Sequence, residues 1–415
     1  MRILLSEGSG LTSRQAATCL GRLGHHVEIL SSSPICLTRF TRHVRRVHSV
    51  PNFGREPLAW FNACCVVVKA QAIDFLFPTQ EQVTVLSACQ GALPCATVVP
   101  PFSSLRRVQD KISAYRTLQE FGVPQPETVI VESRDDLLRI DTFPAFVKRP
   151  ISTASSGVRR TSSRSELDEV SKVMGVGKYE LLVQTQADGP LAMVQAIADN
   201  GRLVAHHANL RVLEGVGGGA SLKESVVLPG LYELLRKLVA ALNWHGALSM
   251  DVIVTTDGPV VIDVNPRLVE PMNAFFAGVD LVGAMLDLAR HQTPDEQSVG
   301  RAGIRSRQLL LAILGAAQNK GSRTAILREL AHTVGRRGEY EDAAGELTPI
   351  SGDPLASVPV IAATIATVLS PTLWRAFHAG AVGPYALTSE GWNAILSLVE
   401  CGGAGSTPET NSLAQ

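Results

Sequence analysis

Residues 246–267 read GALSMDVIVTTDGPVVIDVNPR. Two apolar runs rich in Val and Ile flank Thr256-Asp257-Gly258, which suits a three-residue hairpin loop with Gly258 in the left-handed conformation. Centred on Asp257, such a hairpin sets Asp251 directly across from Asp263. Strand side chains alternate between faces, so Ile253, Val261 and Asn265 join the two acids, while Leu248, Met250, Val252, Val260, Ile262 and Val264 fill the other face. Like charges opposite one another, with β-carbons about 4.5–5.5 Å apart, repel unless something neutralises them. A divalent cation does so: carboxylate and amide oxygens are hard ligands, and Mg²⁺ takes one or two carboxylates with water and substrate phosphates completing its shell. The alternative is a solvated hairpin face whose aspartates stand apart. Ile253 and Val261 beside the acids argue against it, and the hairpin points to a nucleotide site.

The rest of the composition bounds this reading. A chain of 415 residues, 45% hydrophobic and 18% charged, can bury substantial cores and divides into about two to four domains. Its formal net charge is zero, which lends no support to a general attraction to nucleic acid or membrane. The densest basic spots, His43-Val44-Arg45-Arg46 and Arg336-Arg337, are short and read as solvated faces or loops. Seven cysteines include no CxxC pair and no Cys/His spacing that suits zinc, so reduced thiols in a cytoplasmic protein are expected. The opening MRILLSEGSG reads as a strand entering a turn rather than an export signal. The apolar run Val358–Leu369 is too short for the roughly 20 residues that span a bilayer and is expected to be a buried helix.

Along the chain, residues 2–5, a helical stretch at 13–23 and Val27–Leu30 make a βαβ opening. Phe75–Pro78, the segment near 80–90 and 96–99 continue the alternation, predicting a small parallel α/β domain. Glu7-Gly8-Ser9-Gly10 lacks the full GxGxxG spacing, so its glycines serve the strand-to-helix turn before any phosphate. A helix is predicted at about 109–121, stopped by Gly122 and Pro124. Strands are predicted at 127–131, at 143–150 ending in Lys148, at 179–186 and at 192–198, and helices at 231–242 and 279–290. From about 293 helical patterns dominate, ending in a Gly/Ser/Thr-rich tail at 402–415 that is expected to be disordered.

Lys148 at a strand end, the small-residue loop Ser152–Val158 beyond it, and the later acidic hairpin have the makings of a nucleotide site. A lysine supplies a point charge to phosphate oxygens, small residues let backbone N–H groups approach them, and a metal bridges the terminal phosphates. With Asp110-Lys111 opening a helix, FVKRP at 146–150, STASSGV at 152–158, ELLVQ at 180–184 and VVIDVNPR at 260–267, the chain resembles the ATP-grasp superfamily, particularly its bacterial carboxylate–amine ligases. The resemblance covers about residues 1–290. It implies an α/β chain: a pre-ATP-grasp parallel α/β domain over 1–105, a two-lobed α+β ATP-grasp domain over 106–292, and a mainly helical C-terminal region over 293–415.

Carried over position by position, the resemblance makes Lys111 and Lys148 the ATP-phosphate lysines and Ser152–Val158, including Ser155, Ser156, Gly157 and Val158, the mobile loop over the phosphates. Gln184 and Ala187 would flank the adenine-binding linker. Asp251, Asp263 and Asn265 would hold Mg²⁺, with Mn²⁺ as a substitute, and Arg267 would face the acyl phosphate or the carboxylate being activated. Arg211, before the glycine run 215–219, would bind a carboxylate or the γ-phosphate. The implied reaction joins a small carboxylate to an amine through an acyl phosphate, releasing ADP and phosphate, with a homodimer as the implied assembly and neither nucleic acid nor membrane as partner. Three departures stand out: Gln184 where Glu is frequent, with only Asp188 nearby as a substitute for the downstream Glu that grips the ribose; one glycine, Gly157, in the phosphate loop; and Asp at both acidic metal positions. They leave open a catalytically weak ATP-binding module, and bicarbonate activation of the carboxylase kind is a further alternative. His206 and His207 read equally as substrate contacts or plain strand residues. Glu270 reads as a partner for Arg267, a contact for the amine or a surface ion pair, and the region after 293 as a cap on the site, a dimer contact or a completion of the core.

Overall fold

The computed structural model describes residues 1–153 and 156–402. The first hundred residues alternate as the sequence pattern requires: β1 (Arg2–Leu5), α1 (Leu11–Arg22), β2 (His26–Ser31), β3 (Val44–Ser49), α2 (Pro57–Ala70), β4 (Phe75–Phe77), α3 (Val83–Ala88) and β5 (Ala96–Thr97). The strands form one parallel sheet in the order β3-β2-β1-β4-β5. Near-continuous apolar runs such as Ile3–Leu5 and Phe75–Phe77 are fully buried, as strands covered on both faces must be. The segment His43–Arg46 enters β3 rather than a loop, with Arg45 and Arg46 exposed as a solvated face requires, and Pro57–Ala70 forms a helix that the sequence reading did not identify. β3 is a sheet edge, where alternate residues can stay charged and exposed, so its hydropathy does not announce a strand.

A short helix α4 (Phe102–Leu105) leads to α5 (Lys111–Glu120), whose N-cap Asp110 accepts hydrogen bonds from Ile112 N and Ser113 N at 3.1 and 2.8 Å. Next come β6 (Thr128–Val131), β7 (Ala145–Lys148), β8 (Val158–Thr161), α6 (Arg164–Met174) and β9 (Leu181–Thr185). These four strands make an antiparallel sheet ordered β6-β9-β7-β8.

The central sheet collects β10 (Leu191–Asp199), β11 (Arg202–Glu214), β12 (Ala220–Val226), α7 (Leu231–Ala241) on its back, and then β13 (Gly246–Thr255) and β14 (Gly258–Asn265). Helices α8 (Met272–Ala277) and α9 (Leu281–Ala289) return to the N-terminal domain, where Met272, Leu281 and Met285 share a buried cluster with Ile3, Leu5 and Leu20. The remaining elements are β15 (Arg305–Arg307), α10 (Leu309–Lys320), α11 (Arg323–Gly335), β16 (Ala343–Glu346), α12 (Ser357–Leu369), α13 (Trp374–Val382) and α14 (Ser389–Gly402). The C-terminal region is mainly helical, yet β15 and β16 extend the central sheet, whose order is β14-β13-β10-β11-β12-β15-β16. One face of that sheet, with Ala192, Val194, Leu248, Met250 and Val252, packs on Leu118 of α5 and on Leu235 and Leu238 of α7.

Helix α12 corrects one expectation. Val360, Ala363 and Thr367 are buried, but Val358, Ile361, Ile365 and Leu369 are 43–69% exposed, so only one stripe of this apolar helix is covered. A helix apolar all round reads as buried by composition, and composition does not report which neighbours arrive. Among the described residues no helix is long and apolar enough to cross a membrane.

The C-terminal region is tied to the N-terminal domain by a buried ion pair. Arg14 of α1 meets Asp353 at 3.2 Å, and Asp353 also accepts from Thr41 Oγ1 and from Arg42 N.

Candidate active site

The hairpin of Gly246–Thr255 and Gly258–Asn265 forms, with a different turn. Thr255 pairs with Gly258, leaving a two-residue Thr256-Asp257 turn, and Gly258 takes φ +122°, where a side chain would be strained. That register would place Asp251 against Ile262. A bulge between the Val252–Val261 and Asp251–Asp263 pairs inserts Ile262 and restores the acid pair. The bulge also moves side chains between faces: Val261 joins Val252 and Val264 in the core, whereas Val260, paired with Ile253, and Ile262 leave it. Hydrophobic alternation cannot locate an inserted residue inside a run of Val and Ile, so the predicted faces of Val260, Val261 and Ile262 are reversed.

The bulge has a chemical use. Lys148, at the end of β7, is 6% exposed and donates from Nζ to Gln184 Oε1 and to the carbonyl of Ile262, both at 2.7 Å. Gln184 is oriented in turn, donating from Nε2 to Thr128 Oγ1 at 3.1 Å. Lys111, in the first turn of α5, donates to Asp263 Oδ1 at 2.9 Å, and its own N–H holds the carbonyl of Pro150 at 3.0 Å, just past β7. Two lysines separated by a strand and a loop thus converge on one acid pair. Burial pushes the Lys148 ammonium down to about 8 despite the attraction of Asp263. Burial, and then the Asp263 charge, push the Asp251 carboxyl up to about 6.

Whether a divalent cation fits is decided by this donor set. Asp251 and Asp263 sit opposite each other in register, Asn265 lies two residues on, and all three line the same cavity. A carboxylate whose charged form is disfavoured by burial and a like charge gains most from a cation placed between the pair. The residues fit Mg²⁺, although among the described residues no group of three His, Cys, Asp or Glu is arranged to hold a metal without help.

Arg267 closes the acid end. It is 9% exposed, donates from Nε to Glu81 Oε1 at 3.2 Å and from Nη2 to Asn265 Oδ1 at 3.3 Å, while Ser249 Oγ pins its carbonyl at 2.7 Å. Glu81 also accepts from Gln109 Nε2 at 3.2 Å. The sequence reading missed Glu81. The available signal was its place just beyond the C-terminal end of β4, since parallel sheets hold their ligands outside the carboxyl ends of strands.

The cavity has a volume of about 1010 Å³, at the upper end of the roughly 300–1,000 Å³ usual for small-molecule sites. The four-stranded sheet contributes Phe146, Lys148, Val158 and Gln184, followed by Ala187. The central sheet contributes Met193, Asn209, Arg211 and Lys223, and the C-terminal helices supply the far wall. Of the roles left open for residues after 293, a cap on the site is the one that the placement of α10, α12 and α13 along the cavity fits. Arg211 lines the cavity, donating to the Gly218 carbonyl at 2.7 Å and pairing with Glu214 at 3.2 Å.

Other candidates fall elsewhere. Ser155 lies outside the described residues, as does the tail from 403. Ser156 is exposed and donates its N–H to Thr153 O at 3.1 Å, and a Cβ on Gly157 would lie 2.5 Å from that of Ser152. Asp188 is exposed and is not among the cavity residues. His206 and His207 do not reach the main cavity. His207 Nε2 meets Asn273 Oδ1 at 2.7 Å, and the His206 ring lies 5.6 Å from that of Tyr232, tilted by 48°, beside a separate small pocket. Glu270 is neither a partner of Arg267 nor a surface pair. It lines the cavity, bonded to Lys223 at 2.8 Å. At the start of α1, the N–H groups of Ser9 and Gly10 are taken by the Glu7 carboxylate at 2.6 and 3.1 Å, which fills the place an anion would need.

Residues 108–271 match the family profile described as an ATP-grasp domain. The large chain of carbamoyl phosphate synthase from Thermus thermophilus is 24% identical over 190 residues, which is 40% of this chain and 18% of that protein, so the chain spans under a fifth of this relative. Among solved structures, carboxyaminoimidazole ribonucleotide synthase from Aspergillus clavatus, complexed with ATP, superposes with a TM-score of 0.62 at 16% identity, covering 88% of this chain and 98% of that one. The biotin carboxylase domain of 2-oxoglutarate carboxylase from Hydrogenobacter thermophilus, with MgADP, ADP and bicarbonate, gives 0.59 at 15% identity, covering 73% of each chain. At these identities the structural likeness is one of fold. Residues 108–271 therefore carry an ATP-grasp domain, and the fold that surrounds it resembles that of carboxyaminoimidazole ribonucleotide synthase.

Proposed function

We propose that the chain is an ATP- and Mg²⁺-dependent ligase that joins a small carboxylate to an amine through an acyl phosphate. The observation that carries this reading is the convergence of Lys111, Lys148, Asp251, Asp263 and Asn265, drawn from three separated segments, at one end of a cavity large enough for a nucleotide and more. A carboxylate is a poor electrophile. In the reaction one of its oxygens bonds to the γ-phosphorus of ATP as the bond to the β-bridging oxygen breaks. The amine nitrogen then attacks the acyl carbon, phosphate leaves, and the nitrogen gives up a proton.

The chain's part is positioning and charge neutralisation. Lys148, with one of its three protons left after Gln184 and Ile262, donates to a phosphate oxygen. Lys111 offers its charge at the same end. Arg267, held rigid by Glu81 and Asn265, faces the carboxylate, and Arg211 extends the positive wall along β11. Gln184 and Ala187 border the adenine. Asp251, Asp263 and Asn265 would hold Mg²⁺ or Mn²⁺, which would supply positive charge against the phosphates.

The test is ADP and phosphate release from the full chain with ATP and Mg²⁺, scored against paired carboxylates and amines with product mass measured in parallel. Release that needs both partners and yields an amide mass supports the ligase. A second reading, bicarbonate activation, is favoured by the carbamoyl phosphate synthase relative and the bicarbonate-containing structural neighbour, and ADP release that requires bicarbonate would establish it instead. Nucleotide binding with no release under any pairing would refute both and leave a binding module.

A further inference from the structure

Beyond the acid hairpin the cavity changes character. On the paired strands β11 and β12, Arg211 stands directly opposite Lys223, and Asn209 opposite Ser225. Like charges across a strand pair are unfavourable unless an anion lies between or beside them. Glu214 answers Arg211 at 3.2 Å, and Glu270 answers Lys223 at 2.8 Å. Lys223 is 3% exposed, and its pair with Glu270 at 2.8 Å sets a buried dipole in this part of the wall. The Glu270 backbone N–H donates to Thr12 Oγ1 at 3.2 Å, and Gln15 Nε2 reaches its carboxylate at 3.5 Å, so the first turns of α1 hold this acid in place.

Two buried polar atoms in the same cavity have no hydrogen-bond partner among the described residues. One is a donor, Asn209 Nδ2, on a residue 1% exposed, and the other is an acceptor, Gln80 Oε1, on a residue 3% exposed. A buried unpaired polar group costs about 1–3 kcal/mol, so each calls for a ligand group of the complementary kind. The Gln80 amide lies against Gly10, where a Cβ would come within 2.3 Å of its Nε2, so it too sits at the start of α1.

The remaining wall is apolar and is assembled from distant segments. Leu11 of α1, Val216 of the glycine loop, Leu311 and Leu314 of α10, and Phe377 of α13 pack together and line the cavity. The glycine loop can reach α10 because neither side carries a β-carbon at the crossing: a Cβ on Gly315 would meet Gly215 Cα at 2.8 Å.

Resting on the reading of the other end as an ATP site, we propose that one of the two substrates is an amino-acid-like zwitterion with a hydrocarbon side chain. Its carboxylate is received by Lys223 and Asn209 Nδ2 with Arg211 beside them, its ammonium by Glu270 and Gln80 Oε1, and its side chain by the Leu11–Leu314–Phe377 wall. A matched pair of opposite charges beside an apolar surface is complementary to such a molecule. It is not complementary to a phosphorylated sugar, for which this end keeps no surplus of cations.

The test is calorimetry on the full chain with Mg²⁺ and a non-hydrolysable ATP analogue. The nucleotide analogue is titrated first, and if it does not bind, the ATP-site reading itself fails. With the nucleotide bound, leucine, aspartate, 4-methylpentanoate and 3-methylbutylamine are titrated in turn. Leucine is expected to bind at least tenfold more tightly than each of the others, which lack the apolar chain, the ammonium or the carboxylate. Nucleotide binding without that tenfold margin overturns the zwitterion proposal alone. Glu270→Gln and, in the partly buried wall, Phe377→Ala should each weaken leucine at least tenfold, and a smaller loss in both variants overturns the assignment of the compartment.

Discussion

Replacing Lys148 by Met isolates the step on which the nucleotide reading depends. Met keeps the stem that packs beside Phe146 and Val158 but removes the ammonium. In the native site that ammonium gives two protons to Gln184 Oε1 and the Ile262 carbonyl, leaving one for ligand. A hydrogen bond to a charged partner is worth about 1.5–3 kcal/mol, so the dissociation constant for Mg–ATP analogue should rise roughly tenfold to a hundredfold. Stability should move much less. The substitution relieves a desolvated ammonium, whose burial holds it down at about 8, but strands two buried acceptors at about 1–3 kcal/mol each, and these changes oppose one another. Lys148→Arg should not restore affinity, because a planar fork cannot take the place of a point charge seated between two fixed oxygens. The assay is titration calorimetry paired with a thermal melt. A folded Lys148→Met protein that binds nucleotide within twofold of the native affinity would refute the phosphate role, and with it the argument that the Ile262 bulge exists to hold this lysine.

Four further outcomes follow from the structure. Asp263→Ala should abolish Mg²⁺-dependent turnover while the chain stays folded, since Asp263 is the acid that both Asp251 and Lys111 meet; near-normal turnover in a folded variant removes the metal assignment. Arg14→Leu should cost about 3–5 kcal/mol in urea unfolding by leaving Asp353 buried without its cation, and Arg14→Leu with Asp353→Leu should cost less than the single change; a single-variant loss under about 1 kcal/mol contradicts the docking role of the pair. His207 is buried and neutral, its Nε2–H donating to Asn273 Oδ1 because the Asn273 amide group already donates to Ile304 O and Ser306 Oγ. Burial lowers it to about 4 from 6.5, so the unfolded chain binds more protons between those values. Its stabilisation, about 3 kcal/mol, is present above pH 6.5 and is lost as pH falls toward 4; a His207→Asn protein that keeps the full acid slope in denaturation would exclude it as the source. Gly315→Ala should destabilise by about 1–3 kcal/mol through collision with Gly215, and an unchanged melting temperature would show that the crossing is looser than its geometry implies.

The sequence reading named Lys148 and the acid hairpin at one end of the cavity and Arg211 and Glu270 beyond them, but not the apolar wall, and the division has a physical reason. Lys148, Gln184, Asp251 and Asp263 each sit at a strand position fixed by local alternation, and alternation is what a single sequence displays. The parallel N-terminal sheet was legible for the same reason, because Ile3–Leu5 and Phe75–Phe77 are buried on both sides and must be apolar throughout. Failures arose where local pattern is silent. An edge strand such as Val44–Ser49 keeps charged residues facing water, so nothing in its hydropathy separates it from a loop. The Ile262 bulge lies among interchangeable Val and Ile, where one extra residue changes the partner of every later side chain without changing the composition.

The apolar wall was unreadable for a stronger reason, one that also bears on how specificity is divided in this chain. Its parts, Leu11, Val216, Leu311, Leu314 and Phe377, come from segments whose hydrophobic periodicity is already explained by ordinary packing, and their common contact is set by the Gly215–Gly315 crossing and by the Arg14–Asp353 pair. The charged end is different: opposed aspartates and a buried lysine are unfavourable unless a ligand answers them, so they stand out from any structural background. Polar groups that a fold alone would not tolerate mark the chemistry in sequence, whereas the surface that selects a substrate is made of residues a fold would bury in any case. In this chain that surface is supplied by α1, the glycine loop and the C-terminal helices together, so a change in α10 or α13 can alter substrate choice without touching the ATP end.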